Sequence, residues 1–162
     1  MKKIFLSIAS LMLLISCGKT NVDSCCTGSA QVATVDSAYI AVPDMFTPNG
    51  DGINDLLYAR SKNISSVKFI IKDFWGKVFE TNDVKIGWNG SYKGKPAKEK
   101  SYSFTLDATT TSGQSLSLKG DICLIVKNCV NGKLPNCNFD SPFVNGVFDK
   151  NIPSGESIVE CK

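Results

Sequence analysis

Histidine is absent from this sequence of 162 residues. The absence excludes Ser-His-Asp and Cys-His catalysis, histidine metal ligation and histidine proton relays. An excess of charge of one sign is also lacking. Without Lys2 and Lys3, which lie in a segment expected to be cleaved, the 18 basic residues fall to 16 against 15 acidic ones. A nearly neutral surface gives no electrostatic basis for binding nucleic acid. The cysteines form no Cys-x-x-Cys pair, which also disfavours a zinc site.

A long hydrophobic run is lacking too, because the mostly apolar segment 4–15 has only 12 residues. A bilayer-spanning helix needs about 20 residues, whereas this length after two lysines is typical of a signal peptide. The segment ends in Leu14-Ile15-Ser16-Cys17, which resembles the bacterial lipobox. The resemblance implies that residues 1–16 are a lipoprotein signal peptide and that Cys17 is acylated with diacylglycerol and palmitate. The alternative is an ordinary secreted protein cleaved elsewhere.

The residues after Cys17 bear on where the lipoprotein is retained. Gly18 and Lys19 follow the cysteine. Aspartate there would indicate the inner membrane, so we expect lipid anchoring at the outer membrane. An acidic cluster would indicate export to the cell surface, and only Asp23 is nearby. The sequence leaves the periplasmic face and the cell surface both open.

Seven cysteines are present, so lipidation of Cys17 would leave six, an even number typical of disulfides outside the cytoplasm. The Asn131-Gly132 turn signal between two of them favours a local bridge from Cys129 to Cys137. The adjacent pair at 25–26 would then bond to the other two, because a bridge between neighbours is strained. The disulfide candidates are Cys25, Cys26, Cys123, Cys129, Cys137 and Cys161.

Hydrophobic patterning divides the mature chain into three segments. Residues 17–37 are small and polar and are predicted to be a lipidated tether. Residues 38–127 contain short runs of alternating apolar and polar residues, and no convincing helical period. We therefore predict an all-β fold, a β-sandwich, over 38–127. Residues 128–162 are rich in Asn, Pro and Gly and are predicted to form a disulfide-bound C-terminal extension.

Three motifs lie within residues 42–127: FTPNGDGIND (46–55), DFWGKVFE (73–80) and GWNGSYKGK (87–95). Their order and spacing resemble the gliding-motility-associated C-terminal domain of Bacteroidota, a type IX secretion-associated domain. The resemblance implies an Ig-like β-sandwich. In many members this domain is a C-terminal sorting signal. Here a lipobox precedes it and 35 residues follow it, so we expect an Ig-like module on a lipid anchor.

The first motif contains Asp51, Asn54 and Asp55, which resemble part of a calcium-binding loop. Calcium takes six to eight oxygen ligands, and an EF-hand loop ends in a bidentate glutamate that is missing here. These three residues are the candidate calcium ligands. The alternative is a hydrogen-bonded turn in which glycines adopt positive φ and the Asn and Asp side chains bind neighbouring amides.

Other side chains suggest weaker sites. Asp36-Ser37-Ala38 resembles an O-glycosylation acceptor sequence, which makes Ser37 a candidate. Trp75 and Trp88 are expected to cap the ends of the core. A sugar-binding platform is the alternative use of four aromatic residues: Phe74, Trp75, Trp88 and Tyr92. Four lysines are expected to lie in a solvated loop: Lys93, Lys95, Lys98 and Lys100. The alternative is that they contact an acidic partner or lipid headgroups.

These observations favour a non-enzymatic lipoprotein that acts in protein–protein interaction, as an accessory subunit of an envelope, secretion or gliding-related complex. Its expected partners are the membrane, through the lipid, and an envelope protein. The alternative is a glycan-binding or adhesive module, with calcium as its only candidate cofactor. A third interpretation is a vestigial sorting domain without a passenger.

Overall fold

The computed structural model describes residues 31–126 and two short strands near the C-terminus. The predictions for the signal peptide, Cys17 and five of the six disulfide candidates lie outside the described residues. Within them the fold is all-β, as predicted. The strands are β1 Gln31–Val35, β2 Ala38–Val42, β3 Met45–Phe46, β4 Arg60–Lys62, β5 Ile64–Asp73, β6 Gly76–Thr81, β7 Ser91–Tyr92, β8 Lys95–Pro96, β9 Lys100–Thr110, β10 Ser115–Leu124, β11 Phe143–Val144 and β12 Val147–Phe148.

The larger sheet has five strands in the order β3-β10-β9-β5-β6. All its pairs are antiparallel except β3 with β10, in which Cys123 lies beside Met45. In β9 every second residue from Tyr102 to Thr110 is buried, which confirms the predicted period of a half-buried strand. The matching residues of β5 are Val67, Phe69 and Ile71, all buried. One face of this sheet therefore forms the main wall of the core.

The smaller sheet has the order β1-β2-β4 and covers that wall. Ile40 and Val42 of β2 are fully buried and belong to the same apolar cluster as Phe69 and Phe104 of the larger sheet. Two sheets that pack their apolar faces together form a β-sandwich, as predicted. The core holds no buried side-chain polar atom without a hydrogen-bond partner among the residues described.

The folded region begins earlier than the predicted boundary at residue 38. Gln31–Val35 forms β1 and pairs with β2 over its whole length, so the last part of the predicted tether 17–37 belongs to the sandwich. The inward-facing residues of β1 are Gln31, Ala33 and Val35, which are only half buried on this edge strand. Because they are not uniformly apolar, the sequence shows no clear alternation of apolar and polar residues. A strand whose partner follows immediately gains backbone hydrogen bonds that composition does not reveal.

The C-terminal region contributes a two-stranded hairpin, in which Phe143 pairs with Phe148 and Val144 with Val147. Cys123 is 2% exposed in β10. The other cysteine candidates lie outside the described residues, so the predicted pairings and the disulfide-bound extension stay predictions. No helix in the described ranges is long and apolar enough to cross a membrane.

Candidate functional site

The three sequence motifs meet at one end of the sandwich, which we call the tip end. Lys72 at the end of β5 pairs with Ser103 near the start of β9, and Lys100 at that start pairs with Leu124 at the end of β10. Phe46 lies beside Leu124 in the parallel pair, so the loop that follows β3 starts at the same end. Motifs that are far apart in sequence therefore build a single surface.

The second motif forms a tight turn at the tip end, between β5 and β6. Asp73 pairs with Gly76, which leaves Phe74 and Trp75 as the loop. The backbone N–H of Trp75 donates to the Asp73 carboxylate at 2.8 Å, and Gly76 takes a φ of +129° that suits only glycine. Phe74 and Trp75 are 90% and 87% exposed, with their rings edge to face at 5.2 Å. We call these two residues the aromatic tip.

Asp73 also joins the aromatic tip to the neighbouring strand. Its second oxygen accepts a hydrogen bond from Lys100 Nζ at 3.2 Å, and the same ammonium lies 4.8 Å from the centre of the Tyr102 ring. Burial by itself raises the pKa of Asp73, but hydrogen bonds from the Trp75 amide and from Lys100 outweigh it and lower the pKa below 3.8. Burial, together with the Asp73 charge, raises the pKa of Tyr102 to about 12. Tyr102 donates to the Lys98 carbonyl at 2.7 Å.

The lowered pKa of Asp73 predicts a loss of stability in acid. Because the pKa is lower in the folded chain, the stabilisation is complete above the ordinary value of 3.8 and is lost as the pH falls below it. We expect Asp73→Asn to lower the free energy of unfolding by under about 1 kcal/mol at neutral pH, since the ion pair between Asp73 and Lys100 is partly solvated. Urea unfolding of both proteins from neutral pH to about pH 2.5 checks this. A difference between them that does not shrink in acid would contradict it.

The first motif folds into a loop closed by its own carboxylates. Asp55 accepts the backbone N–H of Gly50 at 2.7 Å and that of Gly52 at 2.8 Å, one on each oxygen. Asp51 accepts the N–H of Ile53 at 2.8 Å. Gly50, Gly52 and Asn54 have φ of +86°, +88° and +50°, values that favour glycine or asparagine. The structure thus contains the hydrogen-bonded turn that was the alternative to a calcium loop.

The candidate calcium ligands Asp51, Asn54 and Asp55 all lie in this hydrogen-bonded loop. Among the described residues no group of three or more Cys, Asp or Glu side chains is arranged to hold a metal ion. A calcium ion at this loop would compete with the amides for the oxygens of Asp55. Because a ligand that binds only the folded chain raises the melting temperature, a calcium titration tests the site. With the amide hydrogen bonds in place we expect no rise. A rise that Asp55→Asn abolishes would establish the calcium site.

Asp55→Asn tests the loop itself. The two amides bind different carboxylate oxygens, and in asparagine one of these is replaced by an NH2 group that cannot accept. We therefore expect about 1–2 kcal/mol less stability in urea unfolding. Asp51→Asn is the matched control, because asparagine can keep the contact to the Ile53 amide and loses only the exposed hydrogen bond from the Asn49 side chain. We expect a loss of under about 0.5 kcal/mol. Equal losses in the two variants would mean that the Asp55 contacts do not close the loop.

The third motif fixes the loop to the core through Trp88. Trp88 is 1% exposed, its indole N–H donates to the Ser91 carbonyl at 2.9 Å, and its backbone pairs with Leu57. The ring contacts Phe46 and Tyr102 at centroid distances of 5.2 and 5.0 Å. Gly90 follows with a φ of +70° and packs directly against Pro48. The first and third motifs therefore stabilise each other.

The predicted roles of the aromatic residues need correction. Trp88 packs in the core as expected, whereas Trp75 does not cap it and projects into solvent. Because Trp88 is buried and the rings of Phe74 and Trp75 are perpendicular, the four-residue sugar platform is not assembled. Tyr92 is 40% exposed on the β7–β8 hairpin. Trp75 lies in the turn that joins β5 and β6, where no neighbouring element covers it.

The remaining predicted sites lie on the surface. Lys93, Lys95 and Lys98 are exposed on and beside the β7–β8 hairpin, while Lys100 is half buried in its contact with Asp73. Ser37 is exposed in the β1–β2 turn rather than in a tether, where its hydroxyl accepts a hydrogen bond from Asn63 at 3.1 Å. Glycosylation of Ser37 stays a prediction.

Comparison with known families gives one result. The family model described as CHU_C Type IX secretion signal domain matches residues 40–124, just over half of the chain and all three motifs. The chain belongs to this family. The CHU_C match confirms the resemblance seen in the sequence and indicates a secretion- or gliding-associated role in a cell-envelope or secreted context. We found no match among curated proteins.

Sequence reasoning missed several features of this CHU_C domain. The Asp73–Lys100 contact joins residues 27 positions apart, and neither position carries a local signal for it. Lys72 and Lys77 lie directly opposite each other at the base of the aromatic tip. The symmetrical order Lys-Asp-Phe-Trp-Gly-Lys at 72–77 was the available signal for a tip with cations on both sides.

Proposed function

We propose that this CHU_C protein is a non-enzymatic lipoprotein of the outer membrane that acts in protein–protein interaction within a secretion- or gliding-related complex. The family match supports the cellular context. The lipobox at Leu14-Ile15-Ser16-Cys17 supports the anchor, and the absence of histidine supports a role without catalysis. We infer that the partner is a protein from the unpaired edge strand of the larger sheet.

That edge is β6, the last strand of the five-stranded sheet. In residues 31–126 no strand pairs with its outer side. Its centre is held in place by Phe79, which packs edge-on against Phe69 at 6.3 Å. An ordered edge offers a row of backbone donors and acceptors to an extended segment of another protein. We therefore assign β6 as the docking strand for a partner that adds a strand to the sheet.

The charges on β6 explain why this edge need not aggregate. Lys77 and Glu80 form an ion pair along the strand, and Lys68 of β5 lies 3.9 Å from the same glutamate. Charged side chains on edge strands discourage indiscriminate pairing. A cognate segment must therefore complement alternating charge as well as supply backbone hydrogen bonds.

Photo-crosslinking in cells tests the edge. A photoreactive amino acid replaces Glu80 at the edge or, as the control, Asp121 on β10 at the other side of the sheet; both positions are exposed. We expect position 80 to give one adduct of constant mass and position 121 to give none. The same adduct from both positions, or no adduct from either, would count against the edge as the docking strand.

The lipid anchor has its own test. Cells grown with an alkyne-labelled palmitate should yield labelled protein, and Cys17→Ala should abolish the label. Both proteins are fractionated, and we expect only the wild type in the outer membrane. Recovery of unlabelled wild-type protein free in the medium would contradict the lipoprotein assignment.

Glycan binding is the second candidate, and one depression on the sheet favours it. An open hollow of about 380 Å³ lies over β5, β9 and β10, remote from the aromatic tip. Lys68, Asp107 and Ser117 supply polar groups there, with Ser117 donating to Asp107 at 2.7 Å. Its lining contains no aromatic ring on which a sugar could stack. Binding to immobilised envelope polysaccharide that is lost in Asp107→Ala would favour this function.

A further inference from the structure

We propose that the aromatic tip inserts into the headgroup region of the phospholipid surface that holds the protein's acyl anchor, with Lys72 and Lys77 against anionic headgroups. The inference rests on the proposed anchoring at Cys17 and adds a second membrane contact made by the folded domain. A single point of attachment leaves a domain free to rotate at the end of its tether. A second contact would fix its orientation and so decide which way the β6 edge faces.

The exposure of the tip is the first argument. Phe74 and Trp75 are 90% and 87% exposed, whereas Ile86, the next most exposed large hydrophobic residue within 31–126, is 54% exposed. Single exposed apolar side chains are ordinary on protein surfaces, but two adjacent aromatic rings that contact mainly each other are not. Aromatic side chains are enriched at membrane–water interfaces, where part of the ring leaves water while polar groups stay hydrated.

The rigidity of the turn is the second argument. Asp73 accepts the Trp75 amide on one oxygen and Lys100 on the other, at 2.8 and 3.2 Å. The turn therefore joins β5, β6 and β9, and these contacts hold its backbone in place. A preorganised element binds with little additional loss of conformational entropy. The rings can thus enter an interface without first ordering a loop.

The charge around the tip is the third argument, and it favours lipid over a neutral protein surface. Lys72 and Lys77 are both exposed and face each other across the two strands. Like charges directly opposite on a sheet repel, which is unfavourable for the free protein. Lys77 forms an ion pair with Glu80, but in the described part of the chain Lys72 has no ion-pair partner. An anionic headgroup layer relieves this repulsion, because each lysine near such a surface is attracted to it.

The path of the chain is the fourth argument, and it identifies the membrane. Gln31 pairs with Val42 and lies against Gly120, which is opposite Phe104 in β9. Phe104 is in turn opposite Ile71, two residues before Asp73, so the chain from Cys17 enters the sandwich at the tip end. The 13 residues from 18 to 30 reach at most about 45 Å when fully extended. The acyl anchor and the aromatic tip can therefore meet one bilayer without the domain turning over.

Vesicle binding without the acyl chain tests the tip separately from the anchor. The protein is the mature chain, residues 17–162, with Cys17→Ser. The probes are vesicles of phosphatidylethanolamine and phosphatidylglycerol, and neutral phosphatidylcholine vesicles. Trp88 is buried at 1% exposure, so a change in tryptophan emission on binding reports on Trp75. We expect a blue shift and quenching by brominated lipids with the anionic vesicles, and much weaker binding to the neutral ones.

Matched variants identify the residues responsible. We expect the double variant Phe74→Ser, Trp75→Ser to weaken binding at least about tenfold, with Ile86→Ser as its control. Lys72→Gln should weaken binding about threefold, and Lys119→Gln, which removes one exposed charge on β10, should change it by less than that. All five substitutions in these four variants are at exposed positions, so melting temperatures should stay close to the wild type and confirm that the variants fold.

Three results would overturn the proposal. The first is failure of the wild-type sequence to bind anionic vesicles, and the second is equal binding by the tip variants and their controls. The third is a protein adduct formed in cells from a photoreactive residue at position 75, which would assign the tip to a protein partner. The first two are measured on the protein without its acyl chain, so failure of the Cys17 labelling experiment leaves the vesicle test of the tip intact. Loss of the position 80 adduct would likewise leave it intact.

Discussion

Trp88→Ala should lower the free energy of unfolding by about 3–5 kcal/mol, the largest effect expected from a single side chain here. The indole fills the space between Phe46 and Tyr102 at the tip end. Its removal leaves a cavity that these rings cannot close, because each is already packed against the core. The Ser91 carbonyl also loses the indole N–H at 2.9 Å. Equilibrium unfolding in urea measures the change.

The second tryptophan is a natural control for this prediction. Trp75 belongs to the neighbouring motif and is 87% exposed. Since truncation there removes almost no buried surface, we expect Trp75→Ala to change stability by at most about 0.5 kcal/mol. The comparison separates the structural tryptophan from the one assigned to the membrane. A similar loss in both variants would mean that the aromatic tip is packed in solution and would contradict its exposure.

Gly90→Ala should cost about 2–4 kcal/mol, from backbone strain and steric conflict together. The φ of +70° is unfavourable for any residue with a Cβ. A Cβ placed there would lie 2.7 Å from Pro48 Cγ and 3.1 Å from Leu124 Cδ1. The proline ring is rigid, so it cannot rotate away as a long side chain would. The variant forces the first and third motifs apart.

Gly94→Ala separates the two causes. Gly94 has nearly the same φ, +74°, but a Cβ there would meet nothing within 4 Å. We expect a cost of about 1 kcal/mol from strain alone. The difference between the two variants, measured by urea unfolding under the same conditions, is the steric contribution of the Pro48 contact. If alanine costs the same at both positions, the packing of Pro48 on Gly90 does not support the tip end.

Local patterns were sufficient for the fold class and the family. The alternation in β5 and β9 survives in the structure because side chains of a strand point to opposite faces, a property that belongs to the chain itself. The three motifs predicted the CHU_C family because their turn residues have fixed spacing. The positive φ at Gly50 and Gly52 likewise follows from residue type.

The sequence was less informative where a residue depends on a distant partner. The residues of β1 were predicted to belong to the tether, because their hydrophobic pattern is weak. They form a strand because they pair with β2. Trp75 and Trp88 have similar chemistry and similar surroundings in the sequence, yet one is exposed and the other buried. Trp88 is buried because its backbone pairs with Leu57 and its ring packs on Phe46, and both partners are distant in the sequence.

The sequence by itself determined that this is an all-β CHU_C domain, because residue alternation and turn-forming residues act over a few positions. Only the tertiary structure decided that the three motifs share one end, that Asp73 binds Lys100 and that the aromatic rings of 74–75 are exposed at the end where the chain enters. These features depend on strand order and register, which bring together residues far apart in the chain. Short-range preferences cannot specify such contacts, since they arise only when the whole sandwich closes.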